Sequence, residues 1–332
     1  MAHRYLVTGG AGYVGSHLVA ELLSRGDECV VIDSLRTGHR EAILPGARFV
    51  EGNLADTALL DSVLSDGTWD AVFHFAALSL VGESMRDPNL YFIENVGSGA
   101  RLIDACVRHG VRRFVLSSTA ALFGLPSKEA LDETAPIVPA SPYGESKWML
   151  ERILAWADQV HGLRSACLRY FNAAGADPAG RLGEDHRPET HLIPLVIDAA
   201  LGRRDQLDVF GNDFDTPDGT AIRDYVHVTD LADAHLRALQ RLDEGSVAYN
   251  LGTGSGNSVL EVVRAVERVS GRAVPHRIVG RRAGDPPVLV ASSARIMRET
   301  GWKPRFATLD DIVSTALAWR LEHPHGYGTP PG

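Results

Sequence analysis

The chain has 332 residues, 45% apolar and 23% charged, enough to bury a large core and more consistent with two lobes than one. A formal charge of −9 argues against nucleic acid or an anionic membrane as partner, so a phosphate-bearing ligand must be gripped by local arginines and backbone N–H groups. No apolar run approaches the ~20 residues of a membrane span, and the three cysteines lack CxxC spacing, so they read as core thiols of a reducing compartment.

Residues 4–8 form a short apolar run that predicts a buried strand, beginning too early to leave room for a signal peptide. Cytoplasmic localisation is therefore the expectation. Gly9-Gly10-Ala11-Gly12-Tyr13-Val14-Gly15 follows, then an apolar helix over 16–23. Strand, glycine turn and helix form the arrangement that lets backbone approach a pyrophosphate and offers it free N–H groups at a positive helix end. Two registers fit, Gly10-x-Gly12-x-x-Gly15 and Gly9-x-x-Gly12-x-x-Gly15, and both place the same loop on the same ligand. A second strand over 29–33 ends in Asp33, 18 residues after Gly15. A carboxylate there suits adenosine ribose hydroxyls and repels a 2′-phosphate, which favours NAD over NADP despite nearby Arg36.

Strand and helix continue to alternate, with strands at 48–51, 71–76 and 114–119, a helix at 57–65 and a long helix at 88–109 closed by Gly110. Thr119 ends the last of these strands. In Ser141-Pro142-Tyr143-Gly144-Glu145-Ser146-Lys147, Ser141 suits the N-cap and Pro142 the first helical position, so Tyr143 and Lys147 share one helix face. With 8 tyrosines but only three lysines (Lys128, Lys147, Lys303), chance gives roughly 0.07 such pairs, so the pairing is informative. A tyrosine titrates near ~10, and lowering it to ~7 takes about 4 kcal/mol. One cation supplies about one to three units and an oxidised nicotinamide can supply the rest. The pair therefore predicts a proton-abstracting tyrosine beside a dinucleotide. That helix is expected to reach His161, with Gly162 as its stop before a strand over 166–170. The Gly-, Asp- and Pro-rich stretch 175–188 predicts a loop and lobe boundary, after which helices dominate, with short strands at 222–226 and 247–251. The tail after His323 is expected to fray. No metal-ligand spacing is found among the 13 histidines, so no metal is expected.

With these residues in place, the chain resembles the extended short-chain dehydrogenase/reductases and, within them, the UDP-glucose 4-epimerase family. The likeness runs from Thr8-Gly9-Gly10 to about Trp302. It is most specific at Gly82-Glu83-Ser84, Leu168-Arg169-Tyr170-Phe171-Asn172, Gly211-Asn212-Asp213, Asp218-Gly219-Thr220, Arg223-Asp224-Tyr225-Val226-His227-Val228 and Arg281-Arg282-Ala283-Gly284-Asp285. The resemblance implies an α/β fold: a Rossmann-like, doubly wound parallel sheet with a smaller, mostly helical C-terminal substrate lobe. It divides the chain into an NAD-binding domain, 1–171, and a nucleotide-sugar-binding lobe, 172–332, some of whose segments after 222 return to the first domain.

The resemblance also implies roles. Tyr143 is the base, Lys147 lowers its pKa and binds the nicotinamide ribose, and Thr119 bonds the sugar O4 and the phenol. Gly9, Gly12, Tyr13, Val14, Gly15, Asp33, Asn53, Leu54, Phe75, Ala76, Ala77, Ser79, Asn95, Ser117 and Tyr170 join Tyr143 and Lys147 as NAD-binding positions. Asn172, His191, Leu192, Phe210, Arg223, Arg282, Asp285 and Leu289 join Thr119 and Tyr143 in holding the UDP-sugar. Asn53 stands where the family often has Asp, Ser79 and His191 where some members have Lys and Asn, and Leu289 where some have Tyr. The implied reaction is redox-neutral C4 epimerisation of UDP-glucose and UDP-galactose by a homodimer. Alternatives are a UDP-N-acetylhexosamine or UDP-pentose 4-epimerase, a nucleotide-sugar dehydratase, disfavoured by Ala120 and Ala121, and a non-catalytic NAD sensor.

Overall fold

The computed structural model describes residues 2–124, 129–282 and 285–328. The first half alternates strand and helix: β1 (Arg4–Thr8), α1 (Tyr13–Ser24), β2 (Glu28–Asp33), β3 (Arg48–Glu51), α2 (Thr57–Leu64), β4 (Ala71–His74), α3 (Val81–Ser84), α4 (Pro88–Tyr91), α5 (Ser98–Arg108), β5 (Arg113–Ser117), α6 (Pro142–His161) and β6 (Arg164–Tyr170). The second half adds β7 (Asn172–Ala174), α7 (Leu192–Ala200), β8 (Leu207–Phe210), β9 (Ile222–Arg223), β10 (Tyr225–His227), α8 (Val228–Arg241), β11 (Val247–Leu251), β12 (Asn257–Ser258), α9 (Val259–Ser270), β13 (His276–Val279), β14 (Val288–Leu289), α10 (Ala294–Thr300) and α11 (Leu309–Glu322).

Seven parallel strands form the main sheet in the order β11-β6-β5-β4-β1-β2-β3. The apolar runs of β1, β2 and β4 are buried on both faces, as a parallel sheet covered twice requires. On one face Leu18, Val19 and Leu22 of α1 pack with Leu231, Leu236 and Leu239 of α8 and Ile296 of α10. On the other, Leu60 and Val63 of α2 meet Leu102 of α5 and Leu150 and Leu154 of α6. Chain order reverses between β1 and β4, the crevice where such sheets bind ligands. A smaller core gathers α7, α9 and α11 around β8, which pairs with β13. β11, α8 and α10, although late in the sequence, belong to the large sheet and its cover. Among the described residues, no helix is long and apolar enough to cross a membrane.

Two local expectations need correction, and one short helix was not expected. The helix predicted over 88–109 is interrupted by a π turn at Phe92–Gly97 between α4 and α5. The wider turn carries Asn95, which bonds the loop after β4 and α6 at once. The short α3 at Gly82-Glu83-Ser84 had no periodicity to announce it. The tail is tied down as far as Gly328: Tyr327 donates its N–H to Asp185 Oδ2 at 3.0 Å, and its hydroxyl accepts from Gly183 N at 3.0 Å. Pro330, Pro331 and Gly332 lie outside the described residues.

Four histidines are buried: His17, His74, His227 and His235. Burial pushes their pKa values from 6.5 down to about 4, about 3, about 3 and about 4 respectively. The folded pKa is depressed, so the unfolded chain binds more protons as pH falls below ~6.5, and stability is lost between there and about pH 3–4. At pH 5 the expected cost is about 2 kcal/mol per ring. Urea unfolding at pH 7.5 and 5.0 checks this; equal midpoints would contradict it.

Candidate active site

The glycine loop works by contact. A Cβ on Gly9 (φ +76°) would stand 2.4 Å from Ala76 N, and one on Gly15 would stand 2.2 Å from Gly9 O. These two glycines let α1 approach β1 and let the loop lie against the turn after β4. A Cβ on Gly12 would meet nothing in the protein closer than 3.4 Å, so this glycine leaves room toward the cleft. Gly12 is also the N-cap of α1 and no side chain caps that helix end, which keeps backbone donors available to an anion. The Tyr13 phenol is engaged elsewhere, donating to Gly175 O at 2.6 Å.

Asp33 is a buried brace, not a solvated strand end: its Oδ2 accepts from Ala11 N at 3.0 Å and its Oδ1 from Leu35 N at 2.9 Å. Burial pushes its pKa up, against those two bonds. Each carboxylate oxygen keeps a lone pair for a ribose hydroxyl. Arg36, the residue a 2′-phosphate would want, lies 3.6 Å from Glu94. This donor and acceptor set fits NAD.

Ser141 caps α6, accepting from Gly144 N at 3.2 Å, and Pro142 opens the helix. Lys147 is buried and its Nζ donates to Ser117 O at 2.8 Å. Thr119 Oγ1 accepts from Ala121 N at 3.1 Å. Burial raises the Tyr143 pKa above 10.0, opposed by a hydrogen bond from Thr119. Burial also lowers Lys147 to about 8, opposed by the Glu151 carboxylate. A phenol lowered by the lysine alone is thus not what the protein contains. Desolvation dominates, and a cation brought by a bound cofactor would act against it.

All the residues expected to bind cofactor or sugar line one cavity of about 1210 Å³. Leu54, Phe75, Ala76, Ala77, Ser79 and exposed Asn53 border the glycine loop. Asn95 gives both amide N–H groups to Leu78 O and Ser146 Oγ, each at 3.0 Å, so it positions the wall. Ser117 Oγ and Tyr170 OH are 2.5 Å apart beneath the lysine. Opposite, Asn172 Nδ2 donates to Asp224 O at 2.8 Å, and Leu289 pairs in register with Arg223. Arg223 bonds Asp285 and not its neighbour Asp224. Arg282 lies 3.9 Å over the Phe210 ring, which holds its guanidinium while leaving donors free. His191 and Leu192 stand at the start of α7. Ala283 and Gly284, within the motif that carries Arg282, lie outside the described residues.

The model of the NAD dependent epimerase/dehydratase family matches residues 5–252, which takes in the glycine loop, Thr119, Tyr143 and Lys147. The chain belongs to the NAD dependent epimerase/dehydratase family. Within that family, a UDP-glucose 4-epimerase from Lacticaseibacillus casei is 48% identical over 97% of this chain and 98% of its own length. One from Azospirillum brasilense is 50% identical over 99% and 96%. The crystal structure of UDP-glucose 4-epimerase from Brucella ovis in complex with NAD superposes with a TM-score of 0.92 at 46% identity, covering 96% of this chain and 98% of that one.

Two groups in this epimerase-family site escaped the sequence reading. Glu151, one turn after Lys147, forms a buried pair with Arg169 and accepts from Ser118 Oγ at 2.5 Å. Its i+4 spacing from Lys147 was the available signal. Glu184, His186, Glu189 and His191 cluster beside the cavity, although no metal-ligand spacing had been found among the histidines. The signal in the sequence is the repeated Glu-x-His pair, Glu184-Asp185-His186 and Glu189-Thr190-His191.

Proposed function

We propose that this chain catalyses NAD-dependent epimerisation at C4 of a UDP-hexose, interconverting UDP-glucose and UDP-galactose through a 4-keto sugar. The observation that carries this reading is the meeting of Thr119, Tyr143 and Lys147 in one cavity, between a glycine loop and a wall bearing Arg223 and Arg282. NAD+, when bound, takes up and returns the C4 hydride and brings a positive ring to the site. Tyr143 removes the C4 hydroxyl proton and later returns one to the opposite configuration. Thr119 steadies that proton between sugar oxygen and phenol, since a hydroxyl both donates and accepts. Lys147 holds the cofactor ribose, and Asp33 the adenosine ribose. Arg223 and Arg282 hold the diphosphate, with Asn172 as a neutral partner.

Dehydration across C5–C6 needs a further acid and base. Ala120 and Ala121, which line the cavity directly after Thr119, supply neither. The test is incubation with UDP-galactose, UDP-N-acetylgalactosamine and UDP-arabinose in separate reactions, without added NAD. UDP-glucose is the expected product of the first. A dehydrated product, or no conversion, would overturn the proposal.

The same reading makes the protein a cytoplasmic homodimer. The described cysteines are all buried free thiols, in keeping with a reducing compartment. Met149, Trp156 and Val160 make an exposed apolar face of α6, and exposed Ile93 lies on the adjoining π turn. Trp156→Glu is expected to convert the dimer to monomer in light scattering after size exclusion. An unchanged mass would place the interface elsewhere.

A further inference from the structure

Glu184, His186, Glu189 and His191 each offer a ligand atom, and these atoms all lie within 4.8 Å of one another. They come from the end of the loop that runs into α7, with His191 at that helix's N-cap. His186 Nδ1 stands 3.2 Å from Glu184 Oε1 and 3.5 Å from Glu189 Oε1, and His191 Nδ1 touches Glu184 Oε1. Ligands ~2.0–2.1 Å from a tetrahedral centre stand about 3.3–3.4 Å apart, so two of these separations already have the length of tetrahedron edges. The His191–Glu184 contact must open, and separations that reach up to 4.8 Å must close.

A second observation points the same way. The Glu189 side chain is 10% exposed, and its Oε1 accepts from the backbone N–H groups of Thr190 (2.8 Å) and His191 (2.9 Å). Its Oε2 is buried and has no hydrogen-bond partner. A buried carboxylate oxygen without a partner, on a side chain whose other oxygen lies 3.5 Å from His186 Nδ1, is short of one positive centre.

We propose that Glu184, His186, Glu189 and His191 bind one divalent transition-metal ion of the zinc class. Two carboxylates and two neutral imidazoles balance its charge. The mixed nitrogen and oxygen donors suit zinc better than magnesium or calcium, which take oxygen alone. Four protein ligands leave no open position, so the ion is structural and takes no part in the chemistry. It fixes the loop ahead of α7 to the start of that helix, where Leu192 lines the sugar side of the cavity. With His191 Nδ1 on the ion, only Nε2 of that ring remains for a nucleotide sugar.

The test uses the full-length chain without an affinity tag. The protein is stripped with dipicolinate, checked by elemental analysis, and titrated calorimetrically with Zn2+. One equivalent per chain and a higher Tm on rebinding are expected. Co2+ in place of Zn2+ should give the intense visible bands of tetrahedral coordination. Glu189→Gln, which keeps the side-chain volume, should weaken Zn2+ binding at least ~10-fold, and His186→Gln with Glu189→Gln should abolish it. The cobalt spectrum is read on the unaltered chain and so does not depend on any variant folding. Absence of stoichiometric binding, weak octahedral cobalt bands, or parental affinity in Glu189→Gln would each overturn it.

Discussion

Tyr143→Phe is expected to lower kcat for UDP-galactose by about 10²–10⁴-fold, the usual contribution of a positioned acid–base group, while Tm and retained NAD stay at parental values. The argument is local. The substitution removes one hydroxyl from a ring packed against Tyr91 (centroids 6.3 Å apart), and Lys147 keeps its bond to Ser117 O. A purely structural role would show in Tm and cofactor content, which this variant separates from turnover. The pH profile adds a second reading. Burial raises the phenol above its ordinary value in the protein alone, so ionising it depends on positive charge arriving with NAD+. Ultraviolet titration of the phenolate should place the Tyr143 transition lower in holoenzyme than in cofactor-free protein. An unshifted transition, or near-parental kcat in Tyr143→Phe, would remove this residue from the role of base.

Asp224→Ala is expected to cost about 3–5 kcal/mol of stability, more than most single substitutions. Its carboxylate is fully buried, and Oδ1 accepts from Thr253 N and Thr253 Oγ1, both at 2.8 Å. Oδ2 accepts from Gly254 N and Ala291 N, both at 3.1 Å. Truncation leaves three backbone N–H groups without that acceptor, the one of Ala291 fully buried, where Gly252 already lies too close to Asp224 to tolerate a side chain. Those donors tie the turn after β11, at the edge of the main sheet, to the strand that carries Arg223. The loss should therefore appear both as a lower urea midpoint and as a raised KM for UDP-sugar. A stability change under 1 kcal/mol would show that water replaces the carboxylate.

The sequence by itself determined the features that depend on near neighbours. The alternation of apolar runs and helices specified a parallel sheet, the strand–glycine–helix order specified a phosphate loop, and Ser141-Pro142 placed the start of α6 correctly. Tyr143 and Lys147 were legible because a helix puts residues four apart on one face. Tertiary structure decided what depends on desolvation and on contacts between distant segments. The direction of the Tyr143 shift could not be read from the lysine spacing, because burial acts through the whole cavity wall while Lys147 is spent on Ser117 O. Arg223 has Asp224 beside it in sequence but finds Asp285 across β14, since neighbouring strand residues point to opposite faces. Asn95 reaches both Leu78 and Ser146 from a π turn that helical periodicity does not announce. Glu184, His186, Glu189 and His191 are near in sequence, yet only the folded loop turns their donor atoms to a common centre.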